Sequence, residues 1–282
     1  MLQRFFVDQF SRGPKALRPG LAGGAGPGAG WILPWVLPFL LVLLLEVLVR
    51  SGALQARLMP APSTVMITLW EMAGHDLFRH VAISTGRVFS GFAIGSGLAI
   101  VAAVAVGLSR RLESVFDPSF QALRAIPSLA WVPLLLLWMG IDEMPKVTLI
   151  AIGAFFPVYL NLLAGLRNVD RKLVELGASF GLSRSAMVWR IFLPASLPNL
   201  FTGLRAGLGL SWMFLVAAEL IAATSGLGYL LSDGRETGRP DIVLAAIVLL
   251  GALGKISDGV LKWIERRKLS WRDTYAPASD DA

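Results

Sequence analysis

Apolar and polar positions fall along this chain in long blocks rather than in the short periods of a water-soluble fold. Runs of about 20 mostly apolar residues, the length that crosses ~30 Å of hydrocarbon, recur at 31–49, 81–108, 120–139, 147–166, 200–223 and 242–263. The pattern predicts an all-α polytopic membrane protein with about six transmembrane helices, and an even number of spans puts both termini on one side. The second run is over-long and holds Arg87 and Ser90, so its start is loosely defined, while Pro127 and Pro133 are expected to bend the third. Between the first two runs, Pro60 and Pro62 break the chain and Ser63 is placed to cap a helix. Val65, Leu69 and Met72 share one face of that helix, which is expected to lie along the membrane interface.

The largest polar interruption is a basic insert of roughly 30 residues after the fourth run, where a plain connection needs only a few. Asp170 is a good N-cap for a first short helix and Gly181 a good residue to end it. Leu173, Leu176 and Phe180 fall on one stripe of this helix. Ser183 can cap a second helix with a stripe of Met187, Val188, Ile191 and Phe192, which Pro194 and Pro198 are expected to stop before the fifth span. A solvated loop would not be capped and striped in this way. A DNA-binding helix-turn-helix would need a third helix and a core of its own. A docking element for a partner outside the membrane remains.

Composition agrees: 55% of the 282 residues are hydrophobic and 16% charged, against about 25% charged in soluble domains. With no cysteine and two histidines, disulfides and thiolate metal sites are excluded and a His-rich site is disfavoured. The net charge of +7 is read by position. Arg110 and Arg111, then Arg167, Arg171, Lys172, Arg184 and Arg190, then Lys262, Arg266, Arg267, Lys268 and Arg272 fall on one face with the basic N-terminus. Arg50, Arg57, Arg79, Lys146, Arg235 and Arg239 are on the other. The bias places both termini and the long insert in the cytoplasm. Residues 1–30, with a Gly-rich tract, read as a flexible cytoplasmic tail, 31–267 as the transmembrane domain with its cytoplasmic loop at 167–199, and 268–282 as a second cytoplasmic tail. The first run is too long for a signal-peptide core and is read as a retained span.

The insert resembles the conserved cytoplasmic loop of binding-protein-dependent ABC importer permeases, E-A-A, three residues, Gly, nine residues, I-x-L-P. Glu175 stands at the Glu position, Gly181 at the Gly, Ile191 at the Ile and Leu193–Pro194 at the Leu-Pro, all at the family spacing. Leu176 and Gly177 replace the two alanines. The segments LMPAPSTVMITLWEM, LRAIPSLAWVPLLLLWMGI, IGAFFPVYLNLLAGLRNVD and LVAAELIAATSGLGYLL are similar to the nitrate/sulfonate/taurine-type subgroup. The resemblance covers about 31–267 and implies a MetI-like type I importer fold in a multi-pass bacterial inner-membrane protein. It implies a second permease chain, as a homodimer, two copies of an ABC ATPase and an external substrate-binding protein. It further implies that this chain binds no cofactor, ATP and Mg being used by the ATPase. Coupling falls by matching position on Val174, Glu175, Gly177, Ala178, Gly181, Leu182 and Ser183, with Ile191, Leu193 and Pro194 as the anchor. The implied cargo is a small anion such as nitrate, taurine or an alkanesulfonate; a pyrimidine vitamin precursor is the alternative within the same machinery.

Charges inside the spans, at Arg87, Arg124, Arg205, Glu219 and Lys255, are costly unless paired or hydrated. Arg124 can attract an anion, although a structural pairing with Asp117 or snorkelling to the inner surface is the preferred reading. Trp131, Ser211, Trp212 and Glu219 are further candidates for the path, against packing and interfacial anchoring. Gly203, Gly207 and Gly209 permit close helix approach. No phosphate loop is present: GALGKIS at 251–257 lacks the first glycine and lies in a span. Neither repeated halves nor midplane ion-coupling groups favour a secondary transporter.

Overall fold

The computed structural model describes residues 33–55 and 58–270; the tail at 1–30 and most of that at 268–282 lie outside them. The described residues are almost entirely helical, as the apolar blocks require, because in lipid every backbone group must bond within its own segment. In order they are α1 (Leu33–Arg50), α2 (Pro62–Ala73), α3 (Leu77–Gly107), α4 (Arg110–Ala125), α5 (Val132–Met139), α6 (Glu143–Arg167), α7 (Arg171–Ser179), α8 (Arg184–Met187), α9 (Leu193–Ala222), α10 (Leu227–Glu236) and α11 (Pro240–Lys268). Four helical stretches, α3, α6, Arg184–Ile221 and α11, are long and apolar enough to cross a membrane, and a bent pair from α4 and α5 makes a fifth. The remaining expected span corresponds to α1, whose apolar side chains from Val36 to Val47 are largely exposed.

α6 is the centre, packed against α3 on one side and α9 on the other. Glycines set these distances. A side chain at Gly95 would strike the Ala151 backbone, one at Gly153 the ring of Phe214, and one at Gly203 the Pro157 carbonyl and Asn161. Two apolar clusters fill the layer between helices, one around Leu149, Ile150, Leu208 and Leu215, the other around Ala99, Val158, Tyr159 and Leu162. α11 is tied to α9 by Arg205, which bonds Asp258 at 2.8 Å and lies 3.5 Å from Glu265, and by the Trp212 Nε1–H donating to Ser257 Oγ at 3.0 Å. The cost of Arg205 within an apolar helix is thereby met on the neighbouring helix.

One sequence expectation is met and two are corrected. The third run is bent at Pro127, as expected, and sharply: α4 ends at Ala125, a 3₁₀ turn covers Ser128–Trp131, and α5 leaves at 85° to α4. Pro127 precedes that turn and forces Ile126 into extended backbone (φ −74°, ψ 122°). Ser63 does not cap α2. The helix starts one residue earlier on Pro62, and Ser63 donates through its backbone N–H (3.0 Å) and Oγ (2.7 Å) to Glu46 of α1. A carboxylate from another helix thus sits at the α2 N-terminus, where free N–H groups favour negative charge. Pro194 and Pro198 do not stop the helix begun at Arg184, which runs to Ile221. A π-helical turn at Val188–Phe192 widens the backbone just before Pro194, and so relieves the clash a proline ring makes with the preceding turn.

Candidate functional site

The polar insert folds as two helices hinged on Gly181. Asp170 accepts from the Lys172 N–H at 2.9 Å and opens α7. At the far end the Leu182 N–H bonds the Gly177 carbonyl (3.1 Å) and the Gly181 N–H the Ala178 carbonyl (2.9 Å), with Gly181 at φ +68°. This is the Schellman arrangement, which needs a left-handed residue and hence glycine. Ser183 then accepts from the Ala186 N–H at 3.3 Å and starts α8. One side of α7 is closed. A side chain at Gly177 would run into Ile191 and Met187, so the small residue the pattern requires is the contact by which α7 packs on the turn leading into α9.

The stripe beside that contact is open. Leu173, Leu176 and Phe180 are 45, 55 and 77% exposed, an apolar stripe with no cover among the described residues. Of the other coupling candidates, Val174, Leu182, Ile191, Leu193 and Pro194 are half-buried on the packed side, while Ala178 and Ser183 are exposed. Glu175 bonds Arg171 at 2.8 Å across one exposed helical turn.

The residues expected on a path do not form one surface. Arg124 opens into a cavity of about 800 Å³ shared with Gln121, Arg167 and Asn168 near the α7 end of α6. Its expected pairing with Asp117 is replaced: Asp117 accepts from Gln121 at 2.7 Å and lies 4.0 Å from Arg167. Trp131 borders an apolar cavity of about 500 Å³ between α3 and α6. Ser211, Trp212 and Glu219 are enclosed by this chain's own helices. Ser211 bonds the Gly207 carbonyl, so it and Trp212 serve helix packing.

Glu219 belongs to a charged cluster at the end of the bundle opposite α7. Arg87 of α3 donates from Nη1 to Glu219 Oε1 (2.6 Å) and to the Ser225 carbonyl (2.7 Å). Its Nε and Nη2 donate to the two oxygens of Glu143, each at 2.6 Å. Lys146 adds a 3.1 Å bond to Glu143. Glu219 also accepts from Ser84 Oγ and, at 2.7 Å, from the Gly228 N–H. Two cations and two carboxylates therefore join α3, α6 and the α9–α10 turn. Sequence reasoning singled out Arg87 and Glu219 as needing partners but missed their mutual pairing and the part of Glu143. Opposite charges within two apolar runs were the only available signal.

Residues 95–270 match the model of the family described as binding-protein-dependent transport system inner membrane component. The chain is 40% identical over 231 residues to a putative aliphatic sulfonates transport permease protein, SsuC, of Bacillus subtilis, covering 82% of this chain and 84% of that one. It is 36% identical over 219 residues to the taurine transport system permease protein TauC of Escherichia coli, covering 76% and 80%. With the bicarbonate transport system permease protein CmpB of Synechococcus elongatus it shares 33% over 191 residues, covering 67% and 69%. Among solved structures, the MetNI methionine ABC transporter in inward-facing conformations superposes with a TM-score of 0.52 at 20% identity, over 74% of this chain and 98% of that one, a likeness of fold. The chain thus belongs to the binding-protein-dependent transport system inner membrane component family: it is a membrane-spanning permease subunit of an ABC importer, and its partners are an ATPase and a substrate-binding protein.

Proposed function

We propose that this chain is one half of a homodimeric permease of the bacterial inner membrane that imports a small anion, with the sulfonates first among candidates. Both termini and α7 face the cytoplasm. Two ATPase subunits, which carry the ATP and Mg, receive one α7 from each permease chain, and the external binding protein delivers cargo at the opposite end. The observation that carries the coupling role is the exposed apolar stripe of α7 beside a fixed contact. Leu173, Leu176 and Phe180 are open, while the adjoining Gly177 fixes the helix through Ile191 to a helix continuous with a span. A groove closing on that stripe would move α9 as one body. The anion class rests on the three relatives, whose named cargoes are all anionic or zwitterionic.

Phe180→Ser combined with Leu176→Ser tests coupling without disturbing the core, since both side chains are exposed. Loss of ATPase co-purification with normal membrane yield is expected; a double variant that retains the ATPase and full uptake would sink the assignment. For cargo, ATP-dependent uptake of ethanesulfonate by the complex reconstituted with its binding protein is expected to be competed by other sulfonates. Competition by a neutral pyrimidine alone would move the chain to the vitamin-precursor reading.

A further inference from the structure

The charged cluster opposite α7 has one exposed member. The side chains of Arg87 and Lys146 are 5 and 7% exposed and that of Glu219 is fully enclosed, whereas Glu143 is 54% exposed. Glu143 therefore covers two buried cations from the solvent side. It does so with a paired-oxygen grip on the Arg87 fork, the geometry by which a guanidinium also takes sulfonates, phosphates and carboxylates. Glu219, by contrast, is locked in place. It accepts from Arg87, Ser84 and the Gly228 N–H, and side chains at Gly226 or Gly228 would collide with it.

We propose that Arg87 and Lys146 form a masked anion site at the entry end of the permease, and that Glu143 is a built-in competitor that a monovalent oxyanion displaces. The inference rests on the anion reading of the cargo and names the residues that would receive it. The charge balance fits. With Glu143 swung out, Arg87 and Lys146 face a single carboxylate, Glu219, leaving one net positive charge for one monoanion to restore. Glu143 gives up its bonds to Arg87 and Lys146 on leaving, and an oxyanion that takes the same Arg87 fork and the Lys146 ammonium replaces them. Glu143 lies at the first position of α6, so the motion needs only its own rotamers and not a helix shift. The masking also sets a weak affinity. A tethered carboxylate competes at an effective concentration in the millimolar range or above, so free anions rarely win, whereas one released at the mouth by a docked binding protein can. A path needs sites that are entered and left readily, and a self-covering site has that property.

The test uses the permease–ATPase complex in detergent with methanesulfonate as probe and dimethyl sulfone as its neutral counterpart. In Glu143→Gln and Glu143→Ala, methanesulfonate is expected to bind roughly tenfold or more tighter than to the unaltered complex, and to raise the melting temperature of Glu143→Ala. Dimethyl sulfone should do neither. Adding Lys146→Met to Glu143→Gln is expected to remove most of the gain. In reconstituted uptake, Glu143→Gln should lower the KM for ethanesulfonate. Equal methanesulfonate affinity with and without Glu143, or an equal response to dimethyl sulfone, overturns the site. Tighter binding with an unchanged uptake KM overturns its place on the path. These binding measurements need no binding protein and no knowledge of the physiological cargo, so their failure is distinguishable from failure of the uptake assay that tests the anion reading.

Discussion

Gly95 and Gly97 lie two residues apart on α3 and face opposite surroundings. A side chain at Gly95 would press into the backbone at Ala151 of α6, while one at Gly97 meets nothing within 4 Å. Overpacking of a close crossing costs about 1–3 kcal/mol. Gly95→Val is therefore expected to lower the melting temperature of the purified chain by several degrees, and Gly97→Val to leave it nearly unchanged; equal effects would show that α3 and α6 are not in this register. Reading small residues as contact points from sequence succeeds only in part, for the same reason. Gly203 and Gly207 do face α6, but Gly209, two residues further on, faces open space. Composition reports that close approach occurs, whereas rotation about the helix axis decides which glycine makes it. The Arg87–Glu219 pair was illegible for another reason: its members are 132 residues apart, and no local pattern connects them.

The helices of the polar insert were the most legible elements, because caps and turns are written in adjacent residues. Asp170, Gly181 and Ser183 all act where their chemistry suggested. Loss of an N-cap costs about 1 kcal/mol, or roughly fivefold in a local opening equilibrium. Asp170→Ala is accordingly expected to speed hydrogen exchange in α7 about fivefold while leaving α6 and α9 protected. Unchanged exchange in α7 would show that packing through Gly177, rather than the cap, holds the helix. The prolines were read less well. A proline breaks a helix only if the preceding turn stays α-helical, and the π turn at Val188–Phe192 removes that condition. Nothing in the residue types marks such a turn. As a result α8 and α9 form one continuous rod, a stiffer link between α7 and the bundle than the two-piece arrangement expected.

At the scale of the whole molecule the apolar blocks located α1, α3, α6, α9 and α11 among the described residues, yet they missed most of α4 and could not distinguish a straight span from the broken pair α4–α5. Hydropathy measures length in residues, and an 85° bend changes the depth that length reaches. The direction of insertion rests on charge alone. Arg110, Arg111, Arg167, Arg171, Lys172, Arg184 and Arg190 lie at the α7 end, against Arg50, Arg79, Lys146, Arg235 and Arg239 at the other, and the proposed orientation follows from the rule that basic loops favour the cytoplasm. The absence of cysteine from the sequence makes this directly testable, since each introduced thiol is the only one. Ser51→Cys and Glu236→Cys, both at exposed positions of the end opposite α7, are expected to react with an impermeant maleimide in intact cells. Ser185→Cys, exposed at the start of α8, is expected to react only in inverted vesicles. The pairing of Glu46 with Ser63 gives Ser51 a second use, because it holds the end of α1 against α2. Labelling of Ser51→Cys from the same side as Glu236→Cys therefore fixes that end of α1 outside together with the α10 end of the bundle. Labelling of Ser185→Cys in intact cells would invert the molecule and remove α7 from reach of any cytoplasmic ATPase.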